Sequence, residues 1–378
     1  MKSYHVLIPM ITLVVPVITY ASNPILKFDV IEDNCSNVME NYNSLDCDQS
    51  CQEDIRLSYS HCFATTSETA STDSIRITSF THIRAISDAI SNRFSRFNKP
   101  LKKQNKNIAG MSSGNENTNW NAWGSFTRNA TDQTFDTINL TDQRGFDTTA
   151  IIAVTGSDYS LASNMVLGMS ASLSKGDGTI DYLNGSGILV SEESGNDNIA
   201  IAPYFATQLS PELSLDVTLG LGRGNLKMFK NTESEYDSWF GGINLSYTEW
   251  MDAIQFNSKF NYMHGEESYT DSETNGVTNV NTAVKNELDQ IRLGTQVGYW
   301  LDGLIPYLGL AYSSDISRKS SQSSTLGNPI GKNVWIWSVG IDFLLLSNDI
   351  TGGISYTKEE GRDYQENNAI AGNINIRF

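Results

Sequence analysis

From Trp120 onward the chain repeatedly alternates apolar and polar side chains with a period of two. The clearest stretch is Leu213-Ser-Leu-Asp-Val-Thr-Leu-Gly-Leu221. Leu213, Leu215, Val217, Leu219 and Leu221 share one face, and Ser214, Asp216, Thr218 and Gly220 share the other. A strand points successive side chains to opposite sides, so this stretch is a strand with one apolar and one wet face. Residues 254–262 repeat the pattern, with Ile254, Phe256, Phe260 and Tyr262 against Gln255, Asn257, Lys259 and Asn261. Residues 335–345 repeat it again, with Trp335, Trp337, Val339, Ile341, Phe343 and Leu345 against Ser338, Gly340 and Asp342.

The same reading gives twelve strands, at about 120–129, 145–156, 164–175, 196–208, 213–225, 236–248, 253–265, 285–300, 305–316, 333–346, 350–360 and 366–378. Connections after the even-numbered strands are short: Ser157–Ser163, Leu209–Glu212, Glu249–Asp252, Leu301–Leu304 and Ser347–Asp349. Those after the odd-numbered strands are mostly longer and polar. Transmembrane barrels have an even strand count, short turns at one end and long loops at the other. A soluble sandwich also alternates, but nothing in it requires connection lengths to alternate as well. Each strand is about ten residues, enough for a tilted crossing of a bilayer. The apolar face carries Trp239, Trp250, Tyr299, Trp300, Tyr307, Trp335 and Trp337 near strand ends, where the two lipid interfaces would lie. The expected fold is all-β, a twelve-stranded antiparallel transmembrane barrel over residues 119–378 with a wet or helix-filled lumen.

Upstream the pattern changes. Lys2, the apolar run Val6–Ile18 and Thr19-Tyr20-Ala21 read as a signal peptide over residues 1–21 with cleavage after Ala21. A membrane anchor is the competing reading, against which the apolar run is short. No later stretch has the roughly 18 apolar residues of a membrane helix. Residues 22–72 hold all four cysteines, Cys35, Cys47, Cys51 and Cys62. An even number in an exported chain suggests two disulfides. The segment reads as a helix, a turn and a second helix, which favours Cys35–Cys62 and Cys47–Cys51 among three connectivities. Zinc is the alternative, with a poor ligand spacing.

Residues 73–118 form a helix and a linker. Ile75, Phe80, Ile83, Ile86, Ile90, Phe94 and Phe97 recur every three to five residues over 73–97, with polar residues and Arg93 between them. The helix is expected in the lumen through Ile83, Ile86, Ile90, Arg93 and Phe94. The linker over 98–118 begins with Lys99, Lys102, Lys103 and Lys106 and continues in Gly, Ser and Asn. The formal charge of −17 argues against nucleic acid as a partner.

The last strand ends on the last residue. Ile370, Gly372, Ile374, Ile376 and Phe378 share one face, and Ala371, Asn373, Asn375 and Arg377 the other. A barrel must pair its last strand with its first, because unpaired backbone in lipid is costly. Together with Trp120-Asn-Ala-Trp-Gly-Ser-Phe, Gly156-Ser-Asp-Tyr-Ser-Leu-Ala-Ser-Asn-Met-Val-Leu-Gly-Met and Ala202-Pro-Tyr-Phe-Ala-Thr-Gln-Leu-Ser-Pro-Glu-Leu-Ser-Leu-Asp-Val-Thr-Leu-Gly-Leu-Gly-Arg-Gly, this ending resembles the autotransporter β-domain. Ile86-Ser-Asp-Ala-Ile-Ser-Asn-Arg-Phe and Ile108-Ala-Gly-Met-Ser-Ser-Gly resemble its pre-barrel segment. The resemblance spans roughly residues 75–378. It implies a helix threaded through the lumen and a passenger carried to the surface of a bacterial outer membrane. It also implies that Phe378 and the alternating isoleucines before it address the barrel-insertion machinery. Outer-membrane lipid and periplasmic chaperones are the other implied partners, with a monomeric barrel. The chain departs from the family in passenger size, since only about 50 residues precede the helix, and in its four cysteines.

Candidate chemistry is sparse. Some relatives cut their passenger free by cyclisation of an asparagine. Asn92 and Asn98 lie in or near the helix with Asp88 one turn before Asn92, but the family's paired-asparagine motif is missing. His264, followed by Gly265, Glu266, Glu267 and Ser268, is the only barrel histidine. It is expected at a strand end beside a polar loop, without the partners a Ser–His–acid set requires. No Gly-x-Ser-x-Gly, phosphate loop or dinucleotide fingerprint occurs. The expected protein is a non-enzymatic barrel, without cofactor, that anchors or translocates a short N-terminal segment. A channel plugged by that segment is the alternative.

Overall fold

The computed structural model describes residues 66–95, 119–135, 144–183, 189–228, 232–280, 282–321, 331–345, 350–363 and 365–377. Ala21, Cys35, Cys47, Cys51, Cys62, Asn98, the linker and Phe378 lie outside them. Among the described residues a helix, α1 (Thr66–Ser95), begins about two turns before the expected 73–97. Strands β1 (Trp120–Phe135), β2 (Arg144–Ala162), β3 (Met165–Leu183), β4 (Leu189–Gln208), β5 (Leu213–Met228), β6 (Thr232–Met251) and β7 (Ile254–Tyr269) follow. Strands β8 (Glu273–Thr274) and β9 (Val277–Thr278) form a small hairpin in the next connection. Strands β10 (Val284–Tyr299), β11 (Leu304–Ser320), β12 (Asn333–Leu345), β13 (Ile350–Glu360) and β14 (Gln365–Arg377) complete the sheet.

Each long strand pairs antiparallel with the long strands before and after it. The ends meet: β14 pairs with β1 from Asn121↔Arg377 to Gln133↔Gln365. The twelve long strands therefore close, and closure leaves the barrel no edge in lipid.

The faces are inverted relative to a soluble protein. On β5, Thr218 is 1% exposed and faces the lumen, while Leu219 and Leu221 are 60% and 63% exposed and face outward. Trp335, Trp337, Val339 and Ile341 face outward on β12, as do Ile370 and Ile374 on the closing strand. An apolar exterior over a polar interior suits lipid and rules out the soluble sandwich. Aromatic pairs flank the belt. Trp120–Tyr159 (5.2 Å) lies at the short-turn end, and Tyr312–Trp335 (5.1 Å) lies towards the long-loop end. Three assignments to this exterior are corrected. Trp250, which pairs with the buried Gln255, and Trp300 beside it fall on the luminal parity of their strands. Tyr307 is 4% exposed and lies on the luminal side, between outward-facing neighbours.

Strand length is also corrected. The expected ten residues become 16 in β5 and 20 in β4 and β6. The short turns stay close to where they were expected, so most of the growth is at the long-loop end, where β3 runs on to Leu183 and β4 starts at Leu189. In a closed sheet each backbone group bonds a neighbouring strand whether the outside is lipid or water, so the wall continues beyond the bilayer.

Candidate functional site: the occupied lumen

The helix occupies the lumen against one side of it. Phe80, Ile83, Ile86, Ile90 and Phe94 are buried in one cluster with Ile152, Val154, Val166, Ala200, Ala202 and Phe240. These wall residues face inward from β2, β3, β4 and β6, strands that are apolar on both faces there. Full burial of each isoleucine contributes about 1.5–3 kcal/mol. A Cβ built at Gly265, towards the long-loop end of β7, would meet Phe80 and Ile83. Arg93 and Phe94 sit instead beside Asp158 and Tyr204, next to the short turns. The N-terminal part of α1 therefore points to the long-loop end and its C-terminus to the short-turn end.

At the C-terminus of α1 a buried network forms. Arg93 grips Asp158 with both terminal nitrogens, Nη2 donating to Oδ1 at 2.8 Å, and their side chains are 5% and 0% exposed. Asn121 donates to Asp158 Oδ1 (3.0 Å) and the Tyr204 hydroxyl to Oδ2 (2.9 Å). Trp123 Nε1 donates in turn to the Tyr204 hydroxyl (2.7 Å). Trp123 lies across Gly156 and Tyr204 across Gly168, where any Cβ would overlap the ring. Removing one partner of such a buried ion pair costs about 3–5 kcal/mol, because the other charge is left uncompensated. Arg93 also stacks on Phe94, and a cation in the last helical turn complements the helix dipole.

The other side of α1 faces a wet crevice. Two adjoining solvent-open spaces share Asp88, Asn92, Arg292, Ile336, Ser355 and Thr357. Polar links cross it: Arg84–Glu359 (2.6 Å), Asp88–Arg292 (3.0 Å) and Lys259 Nζ to Asn92 Oδ1 (2.6 Å). Asn92 and Asp88, weighed above for cyclisation, are thus each held by a cation on the wall.

His264 departs from expectation. It lies within β7 rather than at its end, on the outer face, with Nδ1 2.8 Å from Asp289 Oδ1. Asp289 also accepts from the Tyr262 hydroxyl (2.8 Å), and the Trp239 ring lies 4.7 Å from the imidazole. Its cross-strand partners are Gly241 and Asp289, and its outward neighbours along β7 are Tyr262 and Glu266, so no serine or threonine adjoins it there.

No protein-family profile and no curated sequence is similar enough to this chain to match it. Solved structures do match. The translocator domain of autotransporter NalP from Neisseria meningitidis aligns at a TM-score of 0.57 and 8% identity, over 81% of this chain and 98% of that one. The transport unit of autotransporter AIDA-I from Escherichia coli aligns at 0.54 and 12% identity, over 78% and 99%. This is the fold of an autotransporter translocator domain. Such translocator barrels belong to the outer-membrane β-barrel architecture.

Asp158 went unrecognised in the sequence because Ser157–Ser163 reads as a turn. The signal for the docking wall was present. Ile151-Ile-Ala-Val154 and Ile199-Ala-Ile-Ala202 are apolar on both faces, and a strand buried on both faces reads that way.

Proposed function

We propose that this protein is an outer-membrane translocator-type barrel that anchors residues 22–65 and presents them at the cell surface. The observation that supports the reading is the direction of α1. Short turns mark the periplasmic end of such barrels, so the helix ends in the periplasm and its upstream side opens towards the exterior. Outer-membrane lipid, the insertion machinery and periplasmic chaperones are the partners that follow, with a monomeric barrel. The reading is non-enzymatic: among the described residues, no serine or threonine adjoins the outward His264–Asp289 pair on its strand or its cross-strand partners.

An epitope inserted after Ala21 tests the proposal. On intact cells it is expected to bind antibody and to be shaved by external protease while the barrel persists, and His264→Ala is expected to change neither result. An epitope that stays protected until the outer membrane is broken would refute surface presentation. The crevice beside α1 favours a second reading, in which hydrated ions also pass, and the conductance experiment in the Discussion addresses it.

A further inference from the structure

We infer that Arg93 and Asp158 set the axial register of α1, and so act as the stop that fixes how much of the upstream chain is extruded. The inference rests on the surface-presentation reading above. The apolar contacts cannot supply a register by themselves. Ile83, Ile86 and Ile90 repeat at intervals close to a helical turn, and they pack on Ile152, Val154, Val166, Ala200 and Ala202, a surface without polar direction. Sliding α1 by one turn, about 5.4 Å, would put one isoleucine near the place of another. Apolar packing is non-directional, so such a slide meets little resistance.

The crevice links are also permissive. Arg84–Glu359, Asp88–Arg292 and Lys259–Asn92 all border the open crevice, and the first two retain partly exposed side chains, so solvent entering the crevice can replace a partner. Arg93–Asp158 differs on each count. It is bidentate, it is buried, and the carboxylate is fixed beforehand by donors from Asn121 and Tyr204 on two other strands. A single buried polar pair in an apolar seam is a recognised means of specifying register. Arg84 would reach the level of Asp158 earlier in outward passage, but Ala85 follows it, whereas Phe94 follows Arg93 and seats edge-on against Tyr204 with ring centroids 6.0 Å apart. Arg93 and Asp158 are therefore positioning residues for the extruded segment.

Register can be read by disulfide trapping in the full-length protein in cells. A Cβ built on Gly242 would lie 3.3 Å from the Ser87 hydroxyl, so Ser87→Cys with Gly242→Cys reports the native register. Ser91→Cys with Gly242→Cys reports a helix displaced outward by one turn. In the parent the first pair is expected to cross-link and the second to do so only weakly. Asp158→Asn and Arg93→Gln are each expected to lower the ratio of first to second product at least severalfold, and the exchange Arg93→Asp with Asp158→Arg to restore part of it. An unchanged ratio in both single variants would overturn the inference, since a strut that merely stabilises lowers the folded yield without altering the ratio. If those variants fail to give a heat-modifiable barrel, Arg93→Lys is read instead. It keeps the charge without the fork, and is expected to lower the ratio, with no change overturning the inference. The epitope after Ala21 is scored on the same cells. Its protection in the parent would sink surface presentation, independently of the ratio.

Discussion

Deleting residues 73–97 is expected to raise single-channel conductance in planar bilayers several-fold over the full-length protein. The reason is geometric. An α-helix with its side chains is about 10–12 Å across, and here it fills the apolar side of the lumen. What remains open is the crevice, crossed by Arg84–Glu359, Asp88–Arg292 and Lys259–Asn92. Removing residues 73–97 removes the obstruction and all three cross-links together. Equal conductance with and without the helix would mean that α1 does not block the lumen in a bilayer.

The second large effect concerns the inverted faces. Leu219→Arg is expected to reduce the yield of heat-modifiable barrel strongly, because Leu219 projects into the lipid belt. An arginine on the lipid face costs about 2–4 kcal/mol at the midplane, less towards the interfaces. Thr357→Arg, on the crevice side of β13, is expected to assemble nearly normally, since it faces an open polar crevice in which the carboxylates of Asp88 and Glu359 are within the lining, rather than lipid. In a soluble β-protein the order would reverse, with Leu219→Arg relieving exposed apolar surface. Comparison of boiled and unboiled samples on gels, at matched expression, decides between the two.

Much of the barrel is legible in the sequence because its constraint is local. Lipid outside and water inside force a period of two, so Leu213–Leu221, residues 254–262 and residues 335–345 declare both strand and facing. The closing strand is legible for the same reason. Legibility fails where the lipid stops. Gly176-Asp-Gly-Thr179 and Ser191-Glu-Glu-Ser-Gly195 are polar throughout and read as loops, yet they lie in β3 and β4, because neighbouring strands saturate their backbone. His264 is misplaced by the same extension, since β7 continues to Tyr269.

The lumen was half legible. The spacing of Ile83, Ile86, Ile90 and Phe94 identifies an amphipathic helix, but its receiving surface comes from strands scattered along the chain. Tyr307 illustrates the difficulty. As an aromatic near a strand end it fits a girdle, yet its parity within β11 turns it inward. Asp158 pairs with a residue 65 positions earlier, and no periodicity reports a contact at that range.

The central claim is that α1 lies inside the barrel on its apolar wall. Cysteine pairs formed in living cells test it most directly. Ser87→Cys with Gly242→Cys is predicted to give a high yield of internal disulfide, seen as a gel shift absent from either single substitution. Ser87→Cys with Thr357→Cys, which spans the crevice, is predicted to give almost none. Equal yields from the two pairs, or none from the first in a barrel that is otherwise folded, would contradict the placement of the helix.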